Sequence, residues 1–451
     1  MSDNLINIES LDMEARGVGH LRNEDGSSGK VIFVEGALPG ECVSFRSFRR
    51  KSKWEAADMV ALHSESALRV KPKCIYFGTC GGCAMQHLEP SAQVAAKQRV
   101  LEDNLWYIGR VKPKIILRPI YGPTWGYRYR ARLSARNVVK KGGILIGFHE
   151  RKSSLIVDMK SCEVIPPHVS AMLVPLRGLI EELSIKEKIP QLELAVGEGD
   201  EGLTTALVLR IMAPLSDSDE DKLKTFADCH GVQWWLQPQG PDSAFQYYPT
   251  DTVLEYTLPE FGIRMPFKPT DFTQVNHQIN RVLVSRALRL LDAKPGERVA
   301  DLFCGLGNFT LPIATLCSEV VGIEGSASLT ARALENAQIN GLAGKVSFMT
   351  RNLFEIKAGD LTALGKFDRM LIDPPRDGAM AICQALTELK EANPSLLPQR
   401  IVYVSCSPST LARDAGLLVH QAGYVLKQAG VVNMFPHTTH VESIAVFDIA
   451  E

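Results

Sequence analysis

Cys406 stands at the end of a strand-like run, Ile401-Val402-Tyr403-Val404-Ser405, and is followed by Ser407 and Pro408. The run favours extended backbone, and the proline, lacking an N–H, stops the ladder. Ser409 and Thr410 are then candidate N-caps for a helix over residues 411–423. This places Cys406 on the loop beyond a strand's carboxyl end, where open parallel α/β sheets bind their ligands. A cysteine beside a strand is ordinarily a packed core thiol. On such a loop it is a nucleophile that needs activating, since a thiol of pKa about 8.5 is only a few per cent ionised at pH 7.

Proton acceptors occur in Phe435-Pro436-His437-Thr438-Thr439-His440-Val441-Glu442-Ser443-Ile444. Glu442 opens the last apolar run and reaches the same cleft if the sheet is doubly wound. His437 and His440 are rivals, because imidazole titrates nearer neutrality. An H-x-x-H pair could hold a metal, but no third ligand is evident. A further acid, in Asp373-Pro374-Pro375-Arg376, ends another strand-like run, and the paired prolines stiffen a turn that aims it at the cleft.

Asp301-Leu302-Phe303-Cys304-Gly305-Leu306-Gly307-Asn308 follows a strand and opens a helix. Glu324 ends the next strand, where a carboxylate can accept both hydroxyls of a ribose. A dinucleotide site would carry a third glycine, and Thr310 stands in its place. The run resembles motif I of S-adenosylmethionine (SAM) methyltransferases, whose ligand has no pyrophosphate to cradle. Cys304 reads as a small packing residue.

Asp373-Pro374-Pro375-Arg376 resembles methyltransferase motifs that contact a target base, and coupled to Cys406 it narrows the substrate. Carbon C5 of uracil is a poor nucleophile, but a thiolate added at C6 generates an enolate that can take a methyl group at C5. A base then removes the C5 proton and the thiolate leaves.

A second chemistry is written in Cys74-x5-Cys80-Gly81-Gly82-Cys83, with Cys162 far downstream. Glycines allow a backbone that wraps tightly round a metal centre. Four thiolates suit an iron–sulfur cluster or zinc, and spacing does not separate the two. Four protein ligands leave no open metal position, so the site reads as structural or redox-sensitive.

The elements that must position these groups follow from pattern. At 451 residues the chain exceeds one core, so two or three domains are expected. No run of eighteen apolar residues occurs, the start Met1-Ser2-Asp3-Asn4 lacks a signal-peptide pattern, and ten cysteines suggest a reducing compartment. The net charge of −1 hides an asymmetry: residues 101–160 hold thirteen Lys and Arg against four Asp and Glu. Arg46, Arg49, Arg50, Lys51 and Lys53 lie upstream, and the whole reads as a footprint for phosphates. Within it, Arg128, Arg130, Arg132 and Arg136 share one face of a strand, with Tyr127 and Tyr129 on the other. A basic edge strand is the plainer reading.

Short strand-like runs at 5–11, 30–35, 41–48 and 54–62, with turn signals at Gly17-Val18-Gly19, Asp25-Gly26 and Leu38-Pro39-Gly40, suggest a small all-β barrel. Strands are expected at 191–208 and 231–237, with a polar helix at 214–229. An amphipathic helix at 275–293 follows Phe272-Thr273-Gln274-Val275-Asn276. Strands at 298–303, 319–324, 345–350, 368–373 and 401–405 then alternate with helices, and two strands close the chain, the last at 441–449. Such alternation implies a doubly wound parallel sheet.

Taken together, the cysteine set, the Phe272–Asn276 run, the motif beginning at Asp301, Asp373-Pro374-Pro375-Arg376, Ser405-Cys406-Ser407-Pro408 and His440-Val441-Glu442-Ser443 resemble the RNA 5-methyluridine methyltransferases. Ala15-Arg16-Gly17-Val18-Gly19 and residues 34–41 resemble a TRAM domain, an OB-like RNA-binding module. With that start, the likeness is to the type acting on one uridine of 23S ribosomal RNA (23S rRNA).

The resemblance implies a multidomain α/β chain: a TRAM-like barrel at 1–63, a central iron–sulfur α+β domain at 64–268 that binds RNA, and a Rossmann-like SAM methyltransferase domain at 269–451. It implies a [4Fe-4S] cluster on Cys74, Cys80, Cys83 and Cys162, and SAM contacts from Gln274, Phe303, Asn308, Glu324, Asn352 and Asp373. Cys406 would be the nucleophile and Glu442 the general base. Ser407 departs from the family's Cys-Asn-Pro. A cytoplasmic monomer is expected, with no membrane and no obligatory protein partner. The transfer-RNA enzyme of the family lacks the cluster cysteines, and a relative for another 23S uridine lacks the barrel. A radical-SAM enzyme would need an open iron and three cysteines. An RNA-binding scaffold with a dead catalytic domain would not need Cys406, Glu442 and Asp373 together.

Overall fold

β-branched residues alternating with small and polar ones build the first sheet of the chain. A computed structural model describes residues 4–22, 27–200 and 202–450, so the Met1-Ser2-Asp3 start and the Asp25-Gly26 turn signal lie outside the described residues. The sheet comprises β1 (Asn4–Asn7), β2 (Ser10–Leu11), β3 (Gly17–Arg22), β4 (Ser28–Glu35), β5 (Cys42–Arg50) and β6 (Trp54–Ser64), in the order β1-β5-β6-β4-β3-β2. Ile8 and Glu9 alone separate β1 from β2, and their N–H groups donate to Glu41 O and Val18 O. The two ends of the sheet are therefore one bent strand, which closes it into a barrel. Ile6, Ile8, Ile32, Val34, Val43 and Phe45 fill it.

Gly17-Val18-Gly19 is strand, not turn. A Cβ at Gly19 would lie 2.4 Å from Asn7 O, and one at Gly17 would lie 2.8 Å from Ile8 Cγ2. The glycines thus permit close crossing of the bent strand over β3.

The chain forms two compact units, one of residues 1–100, 148–157 and 435–440, the other of the remainder. In the first unit, α1 (Pro90–Tyr107) begins beside the barrel. Its Gln93 Oε1 accepts from His437 N–H, and Lys97 Nζ donates to Phe435 O. The N–H groups of Ala84 and Met85 both donate to His437 O.

The second unit holds two sheets. In the first of them are β8 (Arg130–Val138), β9 (Gly143–Gly147), β10 (Gln191–Gly199), β11 (Gly202–Arg210), β12 (Val232–Gln237), β13 (Phe245–Tyr248), β14 (Glu255–Leu258) and β15 (Ile263–Pro266), with α2 (Pro167–Glu182) and α3 (Asp217–His230) packed beside it. Along β8, Ala131, Leu133 and Ala135 are buried while Arg132 and Arg136 are exposed. Arg130 breaks that pattern: its guanidinium donates to Asp271 O and Pro269 O, so it is tied into the protein. Arg132 pairs with Glu193 at 3.0 Å.

The last sheet carries the doubly wound pattern. It joins β7 (Ile115–Ile116), β16 (Arg298–Leu302), β17 (Glu319–Glu324), β18 (Val346–Thr350), β19 (Arg369–Ile372), β20 (Arg400–Ser405), β21 (Tyr424–Val432) and β22 (Glu442–Ile449) in the order β18-β17-β16-β19-β20-β22-β21-β7. β16 to β20 are mutually parallel and β22 runs against them. Helices α4 (His277–Leu291), α5 (Thr310–Ala314), α6 (Ala327–Ile339), α7 (Ala358–Leu364), α8 (Met380–Ala392) and α9 (Pro408–His420) connect or flank these strands. Strand order reverses between β16 and β19, which opens a crevice at their carboxyl ends. Helix α9 begins at Pro408, so Ser409 and Thr410 lie in its first turn and Ser407 precedes it. Proline's fixed φ suits that first helical position. Among the described residues no helix is long and apolar enough to cross a membrane.

Candidate active site at the carboxyl end of the last sheet

Strand register brings the reactive candidates together. The final cross-strand pair of β20 and β22 is Ser405 with Ser443. One step further sets Cys406 beside Glu442, and Ser443 Oγ donates to Ser405 O at 3.2 Å to hold the strand ends. Asp373 follows the neighbouring β19, with its N–H on Leu302 O.

Charge is crowded there. Burial, with the Glu442 and Asp373 carboxyls beside it, pushes the Cys406 thiol up to about 12, and the Arg376 guanidinium opposes them. Burial, then Asp373, holds Glu442 well above the ordinary carboxylate range. Burial alone pushes Asp373 up to about 7. Asp301 rises to about 7 through burial, reinforced by the Asp373 and Glu324 charges and countered by the Thr310 hydroxyl.

The turn after Asp373 is anchored from behind. Asp414, fully buried on α9, accepts from Ala379 N–H at 2.7 Å and from Tyr403 Oη at 2.7 Å. Thr410 Oγ1 donates to Arg376 O and Arg413 Nη2 to Asp377 O. One helix therefore fixes both the turn bearing Arg376 and the loop bearing Cys406.

The loop after β16 is shaped for a ligand. Phe303, with φ of 63°, adopts the left-handed conformation that non-glycine residues avoid. Gly305 and Gly307 also take positive φ. Cys304 is buried against Gly322, where a Cβ would lie 3.0 Å from its sulfur, so it packs the loop onto β17. Glu324 accepts from Gly305 N–H at 3.2 Å and Ser326 N–H at 3.0 Å, which orients its carboxylate and leaves lone pairs for further donors. Asn352 is exposed and accepts from Phe354 N–H. Phe354 and Phe303 pack with ring centroids 5.6 Å apart and planes tilted by 56°.

Whether SAM fits can be read from the acids. Asp301 Oδ2 accepts from Thr310 Oγ1 at 2.5 Å, whereas its buried Oδ1 has no partner among the described residues. An orphaned acceptor amid several acids suits a cationic ligand with donor groups. Gln274 is half-buried before α4, whose N-terminus Asn276 caps through Ile279 N–H. Asn308 differs from the other candidates. Its amide oxygen accepts from Tyr256 Oη at 2.9 Å and Asn280 Nδ2 at 2.8 Å, while its Nδ2 donates to Asn280 Oδ1 at 3.1 Å. Its side chain clamps the loop to α4 and β14.

Sequence reasoning missed Phe354, Tyr256, Asn280 and Asp414. Phe354 stands two residues past the candidate Asn352, and its aromaticity was a usable signal. The others act through partners between 11 and 52 residues away and gave none.

The rival base His437 is buried and committed within its own unit, its Nδ1 lying 3.1 Å from Gln93 Nε2. In that same unit Cys74 N–H donates to Gln86 Oε1, and Cys80 Sγ accepts from Gly82 N–H at 3.4 Å. The loop's left-handed glycine is Gly78, with φ of 89°, rather than Gly81 or Gly82. Gly81 instead gives room beside His149 O, which a Cβ would approach to 3.2 Å. Cys162, in the other unit, is buried with its N–H on Ser170 Oγ. Among the described residues no three His, Cys, Asp or Glu side chains stand ready to hold a single metal ion.

Comparison with known proteins gives a consistent picture. Residues 254–448 match a family described as tRNA (uracil-5-)-methyltransferase. The 23S rRNA (uracil(1939)-C(5))-methyltransferase RlmD of Cupriavidus metallidurans is 67% identical, over 99% of this chain and 95% of its own. The protein of that description from Burkholderia pseudomallei is 65% identical, over 98% and 95%. Among solved structures, the Pyrococcus abyssi tRNA (uracil-54, C5)-methyltransferase in complex with S-adenosyl-L-homocysteine shares the fold. Its TM-score is 0.72 at 24% identity, covering 98% of this chain and 99% of that one.

Proposed function

The chain belongs to the RNA (uracil-C5)-methyltransferase family, and from that premise we propose that it methylates C5 of a uridine in 23S rRNA through a covalent adduct on Cys406. The observation that carries the mechanism is the register of β20 against β22, which sets Cys406 beside Glu442.

SAM, when bound, supplies the methyl group as a cationic sulfonium. Asp301, Glu324, Asp373, Gln274, Asn352 and Phe303, with Phe354 beside it, would hold it. Asn308 would join them through its second amide N–H, with the bonds to Tyr256 and Asn280 fixing its position. Cys406 adds to C6 of a uracil drawn out of its stack, at a cost of a few kcal/mol that favours a loop or single-stranded target. It reacts as the thiolate, its proton having passed to solvent, and the Arg376 guanidinium favours that form. After C5 is methylated, Glu442 accepts the C5 proton, the C6–S bond breaks, and the electron pair returns to Cys406. Glu442 takes that proton only as the carboxylate; burial and the Asp373 charge raise its proton affinity, so the ionised form is a stronger base than an exposed carboxylate.

Glu442→Gln keeps the shape but cannot take the proton. With an rRNA transcript and SAM it should accumulate a methylated protein–RNA adduct that survives denaturation. Normal turnover by this variant, with an adduct trapped by His437→Ala or His440→Ala, would transfer the base role to a histidine.

Cys74, Cys80 and Cys83, with Cys162, are proposed to hold a [4Fe-4S] cluster. The soft thiol donor set supports this, as does the Gly82 N–H directed at the Cys80 sulfur. Anaerobically purified protein should be brown and lose visible absorption in Cys80→Ser; colourless protein with stoichiometric zinc would sink the cluster. The barrel is read as a TRAM-type RNA-binding module at 1–63, ahead of a central domain at 64–268 and a catalytic domain at 269–451. The enzyme is proposed to act as a cytoplasmic monomer without an obligatory protein partner.

A further inference from the structure

Between Asn104 and His149 the chain contains no Asp or Glu, and ten Lys and Arg. In the first part of this stretch, residues 106–121, α1 ends at Tyr107, Gly109 O lies 3.0 Å from His420 Nε2 on α9, and residues 114–120 line the edge of the last sheet. Lys114 N–H donates to Leu426 O, Leu117 N–H to Ala429 O and Ile120 N–H to Val431 O, while Asn433 N–H donates to Ile120 O. The segment thus runs parallel to β21 for its upper length and ends level with the cleft. Ile120 bridges to Val432, and Val432 pairs with Glu442. Glu442, Val432 and Ile120 form one row across the sheet, and two strand spacings put Ile120 roughly 10 Å from Glu442.

What this edge presents is unusual for a sheet margin. Tyr121, one residue past that row, is 71% exposed, Tyr107 is 63% exposed and Ile115 is 56% exposed. Arg110, Lys112, Lys114 and Arg118 are interleaved with them, all exposed. Lys112 Nζ lies 4.2 Å over the Trp106 ring. Lysines alone would serve to protect an edge from pairing with another chain. Protection does not call for exposed tyrosines. Basic side chains interleaved with open aromatic rings match single-stranded RNA, whose phosphates take the charge and whose bases stack on the rings.

We propose that residues 106–121 form an RNA track leading to the catalytic end of the sheet. Tyr121 stacks on a base close to the flipped uridine, and Lys114 and Arg118 hold the flanking phosphates. This rests on the reading of the protein as an RNA methyltransferase and adds which surface guides the strand.

The test measures affinity of the full-length enzyme for a labelled rRNA fragment carrying the methylated loop, across a salt series, alongside SAM affinity. Tyr121→Ala should weaken RNA binding about 5- to 100-fold, with SAM affinity unchanged, and Tyr121→Phe should stay within about twofold of the parent. The Lys114→Ala, Arg118→Ala double variant should flatten the log–log salt slope by about 1.4. The track is overturned if Tyr121→Ala binds RNA like the parent, or if it loses SAM in equal measure, which makes the tyrosine structural. An unchanged slope in the double variant overturns it too, and aggregation beside it assigns Lys114 and Arg118 to edge protection. Failure of the parent enzyme itself to bind or methylate the fragment would instead strike the RNA-methyltransferase reading.

Discussion

The two ends of one row across the last sheet differ in almost every physical respect. At Glu442 the charges are acidic, buried and set by strand register; at Ile120 and beyond they are basic, exposed and carried by an edge segment. Buried charges interact through a weakly polarisable interior, so their positions decide proton affinities and salt hardly reaches them. Exposed charges act by number and are screened over about 8–10 Å in ordinary buffers. The same sheet thus supports a site whose chemistry depends on geometry and a margin whose attraction depends on count. Mutations should separate the two.

The largest effect is expected from Cys406→Ala, which should abolish both adduct and product while RNA affinity stays within a few-fold. If RNA binding fell with it, the cleft and the edge would not be separable. Asp301→Asn should weaken SAM binding about ten- to a hundredfold, the scale of a buried charged hydrogen bond, as titration calorimetry would report. The same variant has a pH signature. An acid whose folded pKa is raised from 3.8 to about 7 loses its favourable contribution as pH rises through that window. Asparagine removes the burdened charge, so the thermal midpoint without ligand should rise relative to the parent at pH 8 but not at pH 4.

Glu442→Gln removes one of the charges that raise the Cys406 thiol. Alkylation of Cys406 at pH 8 should therefore quicken several-fold, and an unchanged rate would mean that burial dominates. The smallest effect belongs to Arg130→Ala. Because its guanidinium braces the chain at Pro269 and Asp271, just before Gln274, SAM affinity should fall a few-fold while the RNA salt slope stays put.

Much of the last sheet could be read from the sequence because its signals are local. The run from Ile401 to Ser405, the glycine loop after Asp301 and the amphipathic stretch from Val275 carry their own periodicity. What escaped depended on distant neighbours. Gly17 and Gly19 look like a turn until the bent strand beside them is known. Arg130 belongs to a basic face by alternation, yet two carbonyls some 140 residues later capture it. Asn308 sits in a ligand-loop motif, and the motif gives no sign that Tyr256 and Asn280 also bond its amide. Register, which sets Cys406 beside Glu442, followed only from knowing that β22 lies against β20.

Residues 435–440 join the last two strands of one unit while belonging to the other. The bonds from Ala84, Met85, Gln93 and Lys97 to that short piece close loops of more than 330 residues. During synthesis at about 5–20 residues per second, these early residues wait tens of seconds for their partners. The first-made unit is therefore finished last, after all but eleven residues of the chain have been added. Helix α1 and the cysteine loop must pass that interval incompletely satisfied, and a chain terminated before His440 leaves the first unit without its closing segment.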